Sequence, residues 1–161
     1  MDIQQDAITI RTAQVEDAAA IAKILQELNW FEHINGTPIV ETHAAIARRI
    51  SQCLRECTHT ILVAQHVELG VIGYVSAHWY PNLLHGHDGH VSELFLLPSA
   101  TGQGTGHRLL KAIEIEARRR GCTRLTLVNR RMRESYQRGF YKKMGWQESP
   151  DSAYFVRRLG A

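Results

Sequence analysis

The stretch ELFLLPSATGQGTGHRLL, residues 93–110, decides the reading of the chain. Leu94, Phe95, Leu96 and Leu97 are four apolar residues in a row, the pattern of a buried strand, and Pro98 stops it. Gly102, Gly104 and Gly106 follow in alternation. Beyond them the apolar positions switch to helical spacing, at Leu109, Leu110, Ile113 and Ala117. A strand, a glycine loop and a helix in that order leave backbone N–H groups free at a helix N-terminus, a place that binds phosphate or pyrophosphate. Glycine suits the loop because it takes positive φ cheaply and lets the backbone approach a ligand closely.

A chain of 161 residues is sized for a single domain with one core, and 44% hydrophobic with 22% charged residues is a globular composition. No apolar run reaches the length of a membrane span, so no membrane partner is expected. The opening MDIQQDAITI has acids and glutamines where a secretion signal needs a basic and then an apolar stretch. Cys53, Cys57 and Cys122 form no disulfide pattern, which agrees with a reducing compartment, and the expectation is a cytoplasmic protein. A net charge of +3 is weak evidence for nucleic acid, and neither aromatic interleaving nor a known reader motif is present.

Outward from the opening stretch, the periods give an element order. Residues 7–11 alternate as a strand, and residues 15–29 form a helix with Ala18, Ile21, Ile24, Leu25 and Leu28 on one face. Residues 30–38 read as a loop marked by Asn35-Gly36. A second helix begins at Thr37-Pro38 or at Thr42, with Ile46, Ile50, Cys53, Leu54 and Cys57 inward. Residues 60–66 and 71–79 are strands of a hairpin, and residues 80–89 a loop before the strand at 91–97. The glycine-loop helix covers 104–120 and ends at Gly121, followed by a strand at 124–128. A helix over 133–144 closes at Gly145, and residues 146–148 and 154–159 read as two last strands. Only the unit from strand 91–97 to strand 124–128 has the length of a parallel crossover. The expected fold is therefore α/β, a mixed and mostly antiparallel sheet of about seven strands flanked by about four helices, in one domain over 1–161.

This order and its glycine loop resemble the GNAT acetyltransferases, which move an acetyl group from acetyl-CoA to an amine. The family signature, Arg/Gln-x-x-Gly-x-Gly/Ala, is matched by Thr101-Gly102-Gln103-Gly104-Thr105-Gly106, with Thr101 in place of the basic or amide residue. Residues 135–146, with Tyr141 and Gly145-Trp146, resemble the family's late tyrosine segment, and Asn129 matches a common cofactor-contacting asparagine. The resemblance implies an N-acetyltransferase with acetyl-CoA as cosubstrate, a primary-amine acceptor and a possible homodimer. It implies that Phe95, Leu96 and Leu97 meet the pantetheine arm and the thioester through their backbone. It assigns Gln103, Gly104, Thr105, Gly106 and His107 to the pyrophosphate, and Asn129 and Tyr136 to the rest of the cofactor. By the same resemblance the strand carrying the opening stretch splays from its neighbour at a bulge.

Glu93, two residues before the presumed thioester contacts, is the candidate general base; its plain alternative is a surface strand residue. Tyr141 is the candidate acid for the leaving thiolate, with a packed aromatic as the alternative. His85, His87, Asp88 and His90 cluster, but their spacing fits no established zinc pattern, and no metal is expected. The mouth of an acceptor site suits that cluster better, and Trp30, Phe31 and Glu32 border the same site by family position. Arg130, Arg131 and Arg133 offer a cation for the 3′-phosphate of CoA.

Two other classes share parts of this pattern. The glycine spacing differs from the G-x-G-x-x-G of dinucleotide-binding oxidoreductases, and His107 stands where a P-loop needs lysine. A CoA-binding sensor of the same fold without turnover is the non-enzymatic alternative.

Overall fold

The computed structural model describes residues 7–159. The acids and glutamines of the first six residues, on which the targeting argument rests, lie outside them. Two compact units divide at Val128 and Asn129.

The first unit carries the sheet. β1 (Ile8–Thr12), β2 (His59–His66), β3 (Gly70–Asn82), β4 (Gly86–Leu96) and β5 (Arg124–Leu127) lie side by side in chain order. The first three pairings are antiparallel and β4–β5 is parallel. β2 and β3 form the expected hairpin, with Gly70 at φ +73° in its turn. A short 3₁₀ turn (Val15–Asp17) leads into α1 (Ala18–Leu28), and α3 (Ile39–Glu56) follows the single turn α2 (Glu32–Asn35). Ile21, Ile24 and Leu25 of α1 join Ile46 and Ile50 of α3 in one core with Ile61, Val63 and Tyr74 of the sheet. α4 (Thr105–Arg119) is the crossover between the parallel strands. Its Leu109, Leu110 and Ile113 are fully buried, each contributing about 1.5–3 kcal/mol of transfer free energy.

Arg11 and Asp17 tie β1 to the entrance of α1. The guanidinium donates to both carboxylate oxygens, at 2.7 and 2.8 Å, and the Gln14 N–H donates to the same carboxylate at 2.8 Å. Burial alone raises the Asp17 carboxyl, but Arg11 and Gln14 outweigh it and hold it below its ordinary value.

The structure departs from the sequence pattern at several elements. The loop at 80–89 is not a loop: β3 runs on to Asn82 and β4 begins at Gly86, so the turn is only three residues. Cross-strand pairing of Tyr80 with Asp88 and Pro81 with His87 overrides the glycines and proline of that stretch. The loop at 30–38 contains the turn α2, closed by the Asn35 and Gly36 N–H groups donating to Phe31 and Glu32. On α3 Ile46 and Ile50 are buried as expected with Thr42, and Cys53 packs against the core, while Leu54 is exposed and Cys57 is the left-handed cap at φ 56°.

The second unit holds α5 (Glu134–Gln137) and α6 (Phe140–Lys143) where one helix over 133–144 is expected. Gly139 breaks it at φ +67°: its N–H closes the first turn on Tyr136, and its carbonyl opens the next by accepting from Lys143. The strands expected at 146–148 and 154–159 do not form among the described residues, so the sheet has five strands rather than about seven. The second opens with three strand-favouring apolar residues, but a strand exists only through ladder hydrogen bonds, and Tyr154, Phe155, Val156 and Leu159 stand exposed without one. Three longer helices and three single turns replace the four helices of the sequence reading.

Candidate active site

β4 is paired on both sides only over part of its length. Its parallel register with β5 covers Asp88 to Val91 and ends there, while the register with β3 continues to Leu96. From Ser92 to Leu96 the β5-facing edge of β4 therefore has no strand partner among the described residues. Phe95 and Leu96 lie on this open edge. Leu97, just past it, donates its N–H to Ile72 and accepts from Ala100 with its carbonyl, both at 2.9 Å.

A bulge sets the direction of the side chains. Ser76 pairs with Glu93 and Ala77 with Val91, so Ser92 has no partner on β3. Residues 90 and 93, three apart, would otherwise point to opposite faces. Here His90 stands opposite His78 and Glu93 opposite Ser76, two positions along one face of β3. Glu93 thus looks toward α3 and the Tyr74 side of the sheet.

The side chain of Glu93 reaches the surface, yet its carboxylate is packed among protein groups. The buried Tyr74 hydroxyl donates to it, Arg49 of α3 lies close enough to attract it, and Cys53 feels its charge. Burial raises the Glu93 carboxyl, and Tyr74 and Arg49 only partly offset this. Burial, with the Glu93 charge and hydrogen bond added, pushes Tyr74 well above its ordinary value, so it stays a donor. Trp30 and Phe31 meet Phe95 edge-on at 5.9 and 5.5 Å between ring centres, which forms an aromatic wall next to the carboxylate. Trp30 is 46% exposed.

At the other end of the stretch, the glycine loop behaves as its sequence requires. Gly102 and Gly104 both sit at φ +82°, and Gly104 caps α4 with no side chain to satisfy the first N–H groups. The first bond of that helix closes from the Arg108 N–H to the Gly104 carbonyl at 3.1 Å. The N–H groups of Thr105, Gly106 and His107 precede it and make no such bond in the helix. Gln103 is held by its Nε2 donating to Ser99, and Thr101 by its hydroxyl donating to Leu97. The missing basic residue at Thr101 is thus occupied by a loop-bracing hydroxyl.

In the second unit, the Ser135 hydroxyl donates to Oδ1 of Asn129 at 3.3 Å, while the buried Nδ2 of Asn129 has no protein partner. An amide held at one end with an orphaned donor at the other suits a polar ligand group. The Tyr136 hydroxyl donates to Glu148, which also pairs with Lys142 and Arg131. Tyr141 contacts Phe140 and Trp146 edge-on, and burial pushes its hydroxyl up to about 12. It keeps its proton at any physiological pH.

Of the histidine cluster, His90 alone turns to the Glu93 face. His87 lies three residues before it on a regular strand and points to the other side. His85 is in the turn. Among the described residues, no three His, Cys, Asp or Glu side chains converge as a metal would need. Tyr74, Arg49, Ser92 and His78 are site neighbours that the sequence reading missed. The alternation Tyr74, Ser76, His78, Tyr80 carried the signal: polar groups recur at period two inside a strand whose other face is Val75, Ala77 and Trp79.

A family model described as the acetyltransferase (GNAT) family matches residues 23–146. No curated protein matches the chain. Among solved structures, a transcriptional regulator from Bacillus halodurans C-125 superposes with a TM-score of 0.77 at 20% identity, over 93% of this chain and 99% of that one. Glucosamine-6-phosphate N-acetyltransferase from Arabidopsis thaliana gives 0.75 at 18% identity, over 95% and 99%. Ribosomal-protein-alanine N-acetyltransferase from Brucella melitensis biovar Abortus 2308 gives 0.69 at 20% identity, over 96% and 100%. At these identities the likeness is one of fold.

Proposed function

Because the chain belongs to the GNAT acetyltransferase family, we propose that it transfers an acetyl group from acetyl-CoA to a primary amine of a small molecule or peptide. The observation that carries this reading is Glu93: a carboxylate raised by burial, aimed by a bulge, beside an open strand edge. An amine attacks a thioester only as the free base, so its ammonium must first lose a proton. Glu93 takes that proton, and its raised pKa brings it closer to the amine's. The thioester lies along the open edge of β4, held by backbone groups of Phe95, Leu96 and Leu97. The uncapped start of α4, Gln103 to His107, binds the pyrophosphate, and the unpaired Nδ2 of Asn129 supplies one further donor. Tyr136 lines the cofactor. Tyr141, protonated because it is buried, gives its proton to the leaving thiolate. Most of the acceleration in this scheme comes from positioning. We read both units as one acetyltransferase domain, acting in the cytoplasm, that needs no metal and pairs as a homodimer, without nucleic-acid or membrane partners.

The test is release of CoA thiol from acetyl-CoA with three amines: glucosamine 6-phosphate, a peptide beginning with alanine, and spermidine. At least one should be acetylated. Glu93→Gln should slow that reaction at neutral pH by about 10²–10⁴-fold, and Tyr141→Phe by about 10²-fold. Full activity in Glu93→Gln across pH would remove the base assignment. Tight CoA binding without acetylation of any amine would favour a sensor.

A further inference from the structure

Beside Glu93 the sheet carries a row of histidines that the scheme above does not use. His59 on β2 pairs with His78 on β3, and His78 with His90 on β4. The ring centres are 5.5 and 5.3 Å apart. Each ring is tied at Nδ1 to a hydroxyl: His59 to Thr58 at 3.0 Å, His78 to Ser92 at 3.1 Å, His90 to Thr126 at 2.8 Å. The row is the next one along from Ser76 and Glu93, about 7 Å away at the rise of a strand. Ser92, the extra residue of the bulge, lies between the two rows and is bonded to the second.

We propose that Ser92 and His78, with His59 and His90 beside them, are positioning residues that relay the amine's proton from Glu93 to solvent. This rests on the reading of Glu93 as the base. The protonated Glu93 carboxyl gives its proton to one intervening solvent molecule, which passes a proton to the Ser92 hydroxyl. Ser92 passes its own hydroxyl proton to Nδ1 of His78, and the resulting imidazolium loses its Nε2 proton to bulk water. Glu93 is again a carboxylate and Ser92 again a hydroxyl, while His78 is left with its proton on Nδ1 and returns to the Nε2–H tautomer by exchanging ring protons with water before the next cycle. The direction of the Ser92 bond requires the His78 tautomer that carries its proton on Nε2.

The neighbours of His78 suit a relay better than a store. Burial, then the proximity of His90 and His59, lowers His78, and burial lowers His90, so both are neutral acceptors at neutral pH. The other titratable groups on this face are Tyr80 on β3, Asp88 and Glu93 on β4 and Arg124 on β5. From α3, Arg49 and Cys53 face Glu93. Asp88 is fully buried and ion-paired with Arg124.

The experiment compares wild type, His78→Ala, Ser92→Ala and Glu93→Gln with acetyl-CoA and the fastest of the three amines, from pH 6 to 9. Expected for His78→Ala is a fall in kcat of about tenfold at pH 7, with KM for acetyl-CoA within about twofold of wild type. The deficit should shrink as pH rises and be repaired by added imidazole, which a purely structural loss is not. Ser92→Ala, a smaller change that keeps the strand, should show the same pH-dependent deficit. Wild-type kcat across the range in both variants, or a deficit indifferent to pH and imidazole, overturns the relay alone when Glu93→Gln is impaired. If Glu93→Gln matches wild type, or wild type acetylates none of the three amines, the reading of Glu93 falls and the relay with it.

Discussion

Glu93 is governed by the groups that touch it, and the Tyr74 hydroxyl is one of them. The Tyr74 hydroxyl lowers the Glu93 pKa, so removing it should raise that pKa further. Tyr74→Phe should therefore shift the acid limb of the kcat/KM profile to higher pH and leave the rate above that limb close to wild type. A pH–rate series with one amine reads this directly. Arg11 and Asp17 make the same kind of argument for stability. The Asp17 carboxyl is lower in the folded chain than in the unfolded one, so the pair stabilises above the ordinary carboxylate pKa. That stability is lost as pH falls through the depressed folded value. Arg11→Ala should cost about 1.5–3 kcal/mol at pH 7, the scale of hydrogen bonds to a charged group, and much less at low pH. Urea unfolding at pH 7 and pH 3 measures the difference.

At the scale of elements, the glycine loop and α4 are where the sequence speaks most directly. The period changes from a run of four apolar residues to helical spacing across three glycines, and the structure places a strand, a loop and a helix there. Gly104→Val should destabilise the chain by about 1–2 kcal/mol, because a side chain at φ +82° strains the turn. It should also weaken CoA binding by titration calorimetry, while a conservative change on the exposed side of α4, Lys111→Arg, does neither. Other elements are legible only in part. The bulge at Ser92 has no local signature: it exists because two strands pair out of step, and its effect on Glu93 follows from the pairing. Gly139 was visible, but whether a glycine is tolerated in a helix or ends a turn depends on the left-handed φ it adopts. Residues 154–159 show the converse error, since a run of strand-favouring apolar residues states a capacity to pair and not a partner.

For the whole molecule, the order of elements fixes the mixed sheet. One crossover of sufficient length allows one parallel pair, and β4 with β5 is that pair. The open edge of β4 was expected only through the family resemblance, because where two neighbouring strands stop pairing is a matter of tertiary geometry. A ligand that fills this edge and the start of α4 binds the folded chain alone. CoA at about a hundred times its Kd should therefore stabilise by about 2.7 kcal/mol. In a domain of this size that is a rise in Tm of about 5–10 °C, measurable by scanning fluorimetry. The open edge also bears on how the protein keeps. Unpaired backbone groups on a sheet margin are a template for another chain, so the protein stripped of cofactor should clump on warming sooner than the loaded form. Light scattering at equal concentration, with and without CoA, follows this. Under the proposed function the coenzyme would serve as a removable hem on the fabric of the sheet, and shelf life would become a readout of how much of it a preparation has retained.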